Sequence, residues 1–170
     1  NIDPDRKGME IFYGLEQWDK KGAICLVEAA TGKVIWENQE KTDHIHSQGL
    51  VANIDPDRKG QECYAGESDK SKFWLYDCKG NLISEIDGLA PKEAFWDGDA
   101  QKEIISQNKI KKYQGKSLGE IEGNILAVVD CLGDWREEII TGRKGELRIY
   151  TSNLKSNNTG PTLLQNRQYR

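Results

Sequence analysis

The sequence predicts an all-β chain assembled from four small repeated sheets, and three observations carry that prediction. The octet NIDPDRKG opens the chain and returns letter for letter from Asn53 to Gly60. Two related acidic strings, FWDGDAQKEII around Asp97 and VDCLGDWREEII around Asp130, end as the octet segments do, in a glutamate followed by apolar residues. Aligned on that glutamate, Glu10, Glu62, Glu103 and Glu138 stand 52, 41 and 35 residues apart, close to the roughly 40–50-residue period of propeller blades.

Between the acidic strings the chain reads as short strands rich in β-branched and aromatic residues. In order these are EIFYGL, AICLVEA and KVIWEN, then ECYAGE, FWLYD and NLISEI, then EIISQ, and last EIITG and ELRIYTS. Turn strings such as ATGK and CKGN join them. The nearest approach to a helical pattern, KEIISQNKIKKYQ, lacks a cap and a continuous apolar stripe. Each unit is a sheet too thin to stand alone, so neighbours must bury its faces, as blades do in a ring. The whole chain, 1–170, is read as part of a propeller of about four blades, with acidic loops at 1–10, 53–62, 95–103 and 130–138. A chain that opens on Asn and stops without a tail reads as a piece of a longer protein.

The alternating acids give the loops a chemistry. Asn1, Asp3 and Asp5 alternate, so a tight loop can aim their oxygens inward, and Glu10 returns at the start of a strand. Spaced oxygen donors of this kind suit a hard cation such as Ca²⁺. The second copy offers Asn53, Asp55, Asp57 and Glu62. The third keeps Asp97, Asp99 and Glu103 but places Phe95 where the Asn would stand; the fourth keeps Asp130, Asp134 and Glu138 with Leu132 at the middle. Full calcium sites are expected in the first two loops and partial ones in the others, with the ions bracing loops and doing no chemistry. Without a metal, the same acids would cap turns. The pattern is not an EF-hand, because the closing Glu comes too early and strands flank it.

A net charge of −4, with no long basic tract, argues against a nucleic-acid partner. No apolar run approaches the roughly 20 residues of a membrane-spanning helix, so no membrane partner is expected. Cys25, Cys63, Cys78 and Cys131 lack metal-ligand spacing; they are read as thiols, mostly buried, although spacing alone leaves a disulfide open. Trp18, Trp36, Trp74 and Trp96 lie in or beside strands and are expected to pack. Trp135 and Arg136 are read as bracing the fourth loop.

Three stretches are more specific than the acidic loops: GDWREEIITGRKGELRIYTS, HIHSQGLVANIDPDRKGQECYAGE and the closing LLQNRQYR. Together they resemble the rhamnogalacturonan lyases of polysaccharide lyase family 11, and the resemblance runs over nearly the whole chain. It implies the C-terminal half of a calcium-loaded, eight-bladed propeller in a secreted bacterial enzyme that cleaves rhamnose–galacturonate linkages of pectin by β-elimination. It also implies catalytic positions: Lys109 matches a lysine of the family, expected to bind the carboxylate or take the proton, and Tyr169 matches a tyrosine expected to protonate the leaving oxygen. His44, His46, Lys111 and Arg170 are the expected substrate contacts, and Gln48 replaces an Arg that the family often carries.

The basic segment QNKIKKYQGK, with Lys112, Lys116 and Tyr113, is where a polyanionic sugar would meet positive charge. The competing expectation is a calcium-stiffened propeller that binds glycan or protein without catalysis. A half ring has open sheet edges, so the missing half or a second copy is an expected partner.

Overall fold

The computed structural model describes residues 1–16, 19–69, 71–85, 92–156 and 160–166, with the backbone alone at 46–48. The chain divides into two compact units, Asn1–Pro91 and Lys92–Arg170.

The first unit holds two sheets. β1 (Glu10–Gly14), β2 (Ile24–Glu28) and β3 (Val34–Glu37) form one; β4 (Ile45–Ala52), β5 (Glu62–Glu67), β6 (Phe73–Tyr76) and β7 (Leu82–Ser84) form the other. The second unit repeats the plan. β8 (Glu93–Ala94), β9 (Glu103–Ser106), β10 (Lys109–Lys111) and β11 (Ser117–Glu120) make a four-stranded sheet, and β12 (Asn124–Val129), β13 (Glu138–Arg143) and β14 (Glu146–Tyr150) a three-stranded one. Every pairing is antiparallel, and strands neighbour each other in chain order. Each sheet is therefore a meander that local turns can build without a crossover. The only helix among the described residues is a single 3₁₀ turn at Leu163–Gln165.

The expected strands all recur, within a residue or two at their ends. Strands β4, β8, β10, β11 and β12 are additions. In β10 only Ile110 is buried, between two lysines, so three residues carry too little pattern to be seen. Its formation depends on the turn before it: Gln107 and Asn108 both have positive φ, 51° and 62°. That pair of left-handed residues matches the right-handed twist of a two-residue hairpin. The KEIISQNKIKKYQ segment is thus a hairpin, β9 to β10.

Each unit buries a hydrophobic cluster among the described residues. In the first, Ile24 and Leu26 of β2 meet Cys63 and Ala65 of β5 and Trp74 and Tyr76 of β6. Trp36 lies 5.3 Å from the Tyr76 ring and donates its indole N–H to the Cys78 carbonyl at 3.1 Å. In the second, Ala94, Trp96, Ile105, Ile110, Ile121 and Ile139 form the cluster. Trp36, Trp74, Trp96 and Trp135 all pack inward as expected; Trp18 lies outside the described residues. Cys25, Cys63 and Cys78 are buried free thiols, and Cys131 is an exposed one.

Candidate functional site

Glu10, Glu62, Glu103 and Glu138 each open a strand, respectively β1, β5, β9 and β13, and each is buried. Their Oε2 atoms do the same thing four times. Glu10 accepts from Ile2 N at 2.8 Å. Glu62 accepts from Ile54 N (2.9 Å) and Asp55 N (3.1 Å). Glu103 accepts from Trp96 N (2.9 Å) and Asp97 N (3.2 Å), and Glu138 from Cys131 N (3.0 Å) and Leu132 N (3.1 Å). A buried carboxylate at a strand's first residue thus folds the preceding loop over itself and satisfies amides that would otherwise be orphaned.

Within the loops the acids make a second recurring turn. The Oδ1 of Asp3, Asp55 and Asp97 accepts from the amide two residues on, each at 3.0 Å. The side chain thereby bends its own backbone. Asn1 adds Nδ2 bonds to the Arg6 and Gly8 carbonyls at 3.4 and 3.3 Å. Asn53 holds the corresponding place in the second octet.

The remaining oxygens differ between loops. In the third, ligand atoms of Asp97, Asp99 and Glu103 lie within 4.8 Å of one another, the only such metal-ligand group among the described residues. Lys112 Nζ sits among them, at 2.7, 2.5 and 3.2 Å. Burial pulls the Lys112 ammonium down, but the three carboxylates outweigh it and hold it above the ordinary lysine value. In the first loop Lys79 Nζ lies 2.7 and 2.9 Å from the two Asp3 oxygens and 3.1 Å from Asp5. These bonds push Lys79 up to about 12, while Lys59 and Lys79 together hold Asp5 below the usual range. In the second loop Arg58 Nε touches Asp55 Oδ2 at 3.1 Å. The buried Glu62 Oε1 has no hydrogen-bond partner there, and burial raises that carboxyl.

The fourth loop is spent on itself. Asp130, fully buried, accepts from the amides of Gly133 (2.7 Å), Asp134 (3.1 Å), Trp135 (3.1 Å) and Leu163 (2.8 Å) and from the Thr162 hydroxyl (2.7 Å). Five donors exhaust the roughly four lone-pair sites of a carboxylate. Asp134 pairs with Arg136 at 2.8 Å, and Glu138 Oε1 accepts from the Thr151 hydroxyl at 3.3 Å. Arg136 also donates to the Leu154 carbonyl at 2.9 Å, so it is a brace and not a free clamp. Residues held by Asp130 help to wall an apolar cavity of about 500 Å³, lined by Phe95, Trp135, Pro161, Thr162 and Leu163 among others.

The third loop's donor set fits a hard cation, since its three carboxylates converge; the octet loops, expected to hold the full sites, bring no such group together among the described residues. Every available group is oxygen, several are carboxylates, and Glu62 presents a buried oxygen that nothing satisfies. Asp57 and Asp5 are exposed and complete the octet loops.

Of the expected sugar-contacting residues, His44 and Lys109 lie at the other ends of the strands, whereas Lys111 pairs with Ile104, beside the acidic-loop end. The register pairs Ile45 with Glu67, the last residue of β5, so His44 sits opposite the acidic-loop end of its sheet. Its backbone N–H donates to Glu67 Oε2 at 2.6 Å and its Nε2 lies 3.5 Å from Glu16 Oε1. His46 follows in β4, its side chain outside the described residues. In the second unit the same end carries Lys109, exposed at the start of β10 and 4.0 Å from Glu120 Oε1. Lys111 shares its face of β10, two residues on. Tyr169 and Arg170 lie outside the described residues. Lys112, read among the basic sugar contacts, is instead engaged by the third acidic loop. Sequence reasoning missed that role and that of Lys79, which stands 76 residues from its partner Asp3. The CKGN turn, which carries Lys79, was the one available signal.

Known proteins share this fold. The curated relatives include the rhamnogalacturonan endolyase YesW of Bacillus subtilis (strain 168), 32% identical over 187 residues, and the rhamnogalacturonan exolyase YesX of the same strain, 30% identical over 201. Both matches take in 100% of this chain, but it spans only 29% and 32% of theirs. The crystal structure of YesW superposes with a TM-score of 0.84 at 31% identity, covering 99% of this chain and 30% of that one. That of YesX gives 0.82 at 30% identity, covering 96% and 31%. With residues 1–170 also matching the family model "Rhamnogalacturonan lyase family 11, C-terminal domain", the chain belongs to that family.

Proposed function

We propose that this chain is part of a rhamnogalacturonan lyase, supplying about four calcium-braced blades of an eight-bladed propeller to a secreted bacterial enzyme. The observation that carries this reading is the family match over the whole chain, with an endolyase and an exolyase as relatives. The substrate would be rhamnogalacturonan or a related acidic polysaccharide.

Cleavage by β-elimination requires three events at a galacturonate. A base removes the C5 proton, the electron pair forms the C4–C5 double bond, and the C4–O bond breaks with protonation of the departing oxygen. The charge that builds on the uronate carboxylate needs a cation beside it. Lys109 is suited to this by exposure and position: it stands at the strand ends away from the acidic loops, and its closest anion, Glu120, is 4.0 Å away. Tyr169 is proposed to protonate the leaving oxygen. His44, His46, Lys111 and Arg170 are proposed to hold neighbouring sugars.

Calcium in the acidic loops would neutralise and cross-link carboxylates, stiffening the loops and taking no part in bond cleavage. Asn1, Asp3, Asp5 and Glu10, then Asn53, Asp55, Asp57 and Glu62, then Asp97, Asp99 and Glu103 would hold it.

Incubating the full-length protein with rhamnogalacturonan should produce the ultraviolet absorbance of an unsaturated uronate. Lys109→Ala should lower kcat by at least about 100-fold, the scale of an acid–base or charge-stabilising group. Binding of the polymer with no new absorbance would instead support a non-catalytic binding role.

A further inference from the structure

We infer that Lys79 and Lys112 are built-in counter-ions that occupy the acidic loops when calcium is absent and must be expelled when it binds. The inference rests on the calcium reading of these loops and says something that reading does not: cation uptake is an exchange, with a lysine setting its affinity.

Three observations carry it. First, Lys112 Nζ is within 3.2 Å of all three carboxylates of the one metal-ligand group among the described residues, so the ammonium stands at their common focus. Second, the first loop shows the same solution from a different place in the chain. Lys79, in the turn between β6 and β7, reaches across to Asp3 and Asp5. Third, the second loop has the same octet as the first, but among the described residues no lysine reaches its carboxylates; Arg58 pairs with Asp55, and Glu62 Oε1 is buried and unpartnered. Where a lysine reaches the closing glutamate, as Lys112 reaches Glu103 Oε1, that oxygen is satisfied.

The physics is one of competing charges. Clustered carboxylates repel one another, and any cation at their centre relieves the repulsion. A tethered ammonium does so at high effective concentration, whereas Ca²⁺ offers twice the charge and more coordination positions. The chain can therefore keep its loops folded before it meets calcium. The price falls on affinity: in the first and third loops the ion must first displace a lysine. Of the three loops, the second should fill at the lowest calcium concentration, because among the described residues its only cation is Arg58 on Asp55 and its Glu62 oxygen is already free of a partner.

The test uses the full-length protein, stripped with chelator. Calcium titration calorimetry compares the parent with Lys112→Met, which keeps the aliphatic stem, and Lys112→Arg, which keeps the charge. Lys112→Met should bind calcium at the third loop at least about tenfold more tightly and should melt lower than the parent in chelator. Lys112→Arg should resemble the parent in both. A parallel measurement needs no variant: lysine acylation mapped by mass spectrometry should increase at Lys79 and Lys112 when calcium is added, as their ammonium groups are released.

Equal calcium affinities for parent and Lys112→Met, or acylation unchanged by calcium, would overturn the exchange while leaving calcium binding intact. No calcium uptake by either protein would overturn the calcium reading together with the exchange.

Discussion

Asp130 shows how one residue outgrows the role its pattern suggests. Read in register, it is one more acid in a metal loop; in the fold it gathers five donors from two distant segments. Burial alone would raise its carboxyl, but the Thr162 hydroxyl and the backbone amides of Leu163, Gly133 and Trp135 prevail and hold it below its ordinary value of 3.8. A carboxyl depressed in this way stabilises the folded chain above about pH 3.8, and that contribution is lost as pH falls through the folded value. Asp130→Ala should cost about 3 kcal/mol or more at neutral pH, since buried amides lose a charged acceptor. Urea unfolding at pH 7 and pH 3 would measure it, and the difference from the parent should shrink at the lower pH. The acids themselves were legible in the sequence because turn-forming acids in register stand out. Their lysine partners were not, because Lys79 approaches from a turn 76 residues away, a distance that only folding closes.

At the level of elements, the duplicated octet offers a controlled comparison. Gly8 and Gly60 occupy the same place in it and have nearly the same backbone, φ of 100° and 99°. Their surroundings differ. A Cβ on Gly8 meets nothing within 4 Å, whereas one on Gly60 would lie 2.6 Å from Cys78 Sγ and 2.9 Å from the Ile2 carbonyl. That crowding exists because the loops of the first unit lie against each other, with Gln61 N donating to Ile2 O at 3.0 Å. In the second unit Glu137 N donates to Phe95 O at 2.8 Å in a comparable link. Gly8→Ala should cost about 1 kcal/mol from left-handed strain alone, and Gly60→Ala about 1–3 kcal/mol more from overpacking. Equal losses on urea denaturation would mean that the two loops relax independently. Strand placement was readable where β-branched runs were long, as in β2 and β13. It was unreadable in β10, where one buried isoleucine between lysines forms a strand because the Gln107–Asn108 turn delivers it to β9.

For the whole molecule, the relevant feature is what the terminal sheets leave uncovered. In the sheet of β12 to β14, Ile140 pairs with Ile149 and Gly142 with Leu147, so these residues share one face, and a Cβ on Gly142 would meet Leu126 on it. Leu126, Leu147 and Ile149 are 62%, 66% and 56% exposed there, while Ile139 on the opposite face is buried. In the sheet of β1 to β3, Ile11 and Val34 are likewise exposed, both in register with Val27. Contiguous apolar faces of this kind mark contact surfaces. The chain on its own should therefore associate with itself, and size-exclusion chromatography should show it larger than a monomer. Leu147→Lys with Ile149→Lys should shift it toward the monomer; a parent that already runs as a clear monomer would remove this expectation. The all-β architecture and the repeat were evident from the sequence, since four glutamates in register require four similar loops. The division into two compact units was not, because it depends on which sheet faces pack.

The account turns on whether the acidic loops are made for a divalent cation. The most direct measurement is a crystal structure of the protein grown in calcium, with anomalous scattering used to locate the ions. The account predicts calcium peaks at about 2.3–2.6 Å from Asp55 and Glu62, and in the first and third loops, with the Lys79 and Lys112 ammonium groups displaced. Loops without anomalous peaks, with both lysines still seated on their carboxylates in ample calcium, would contradict it.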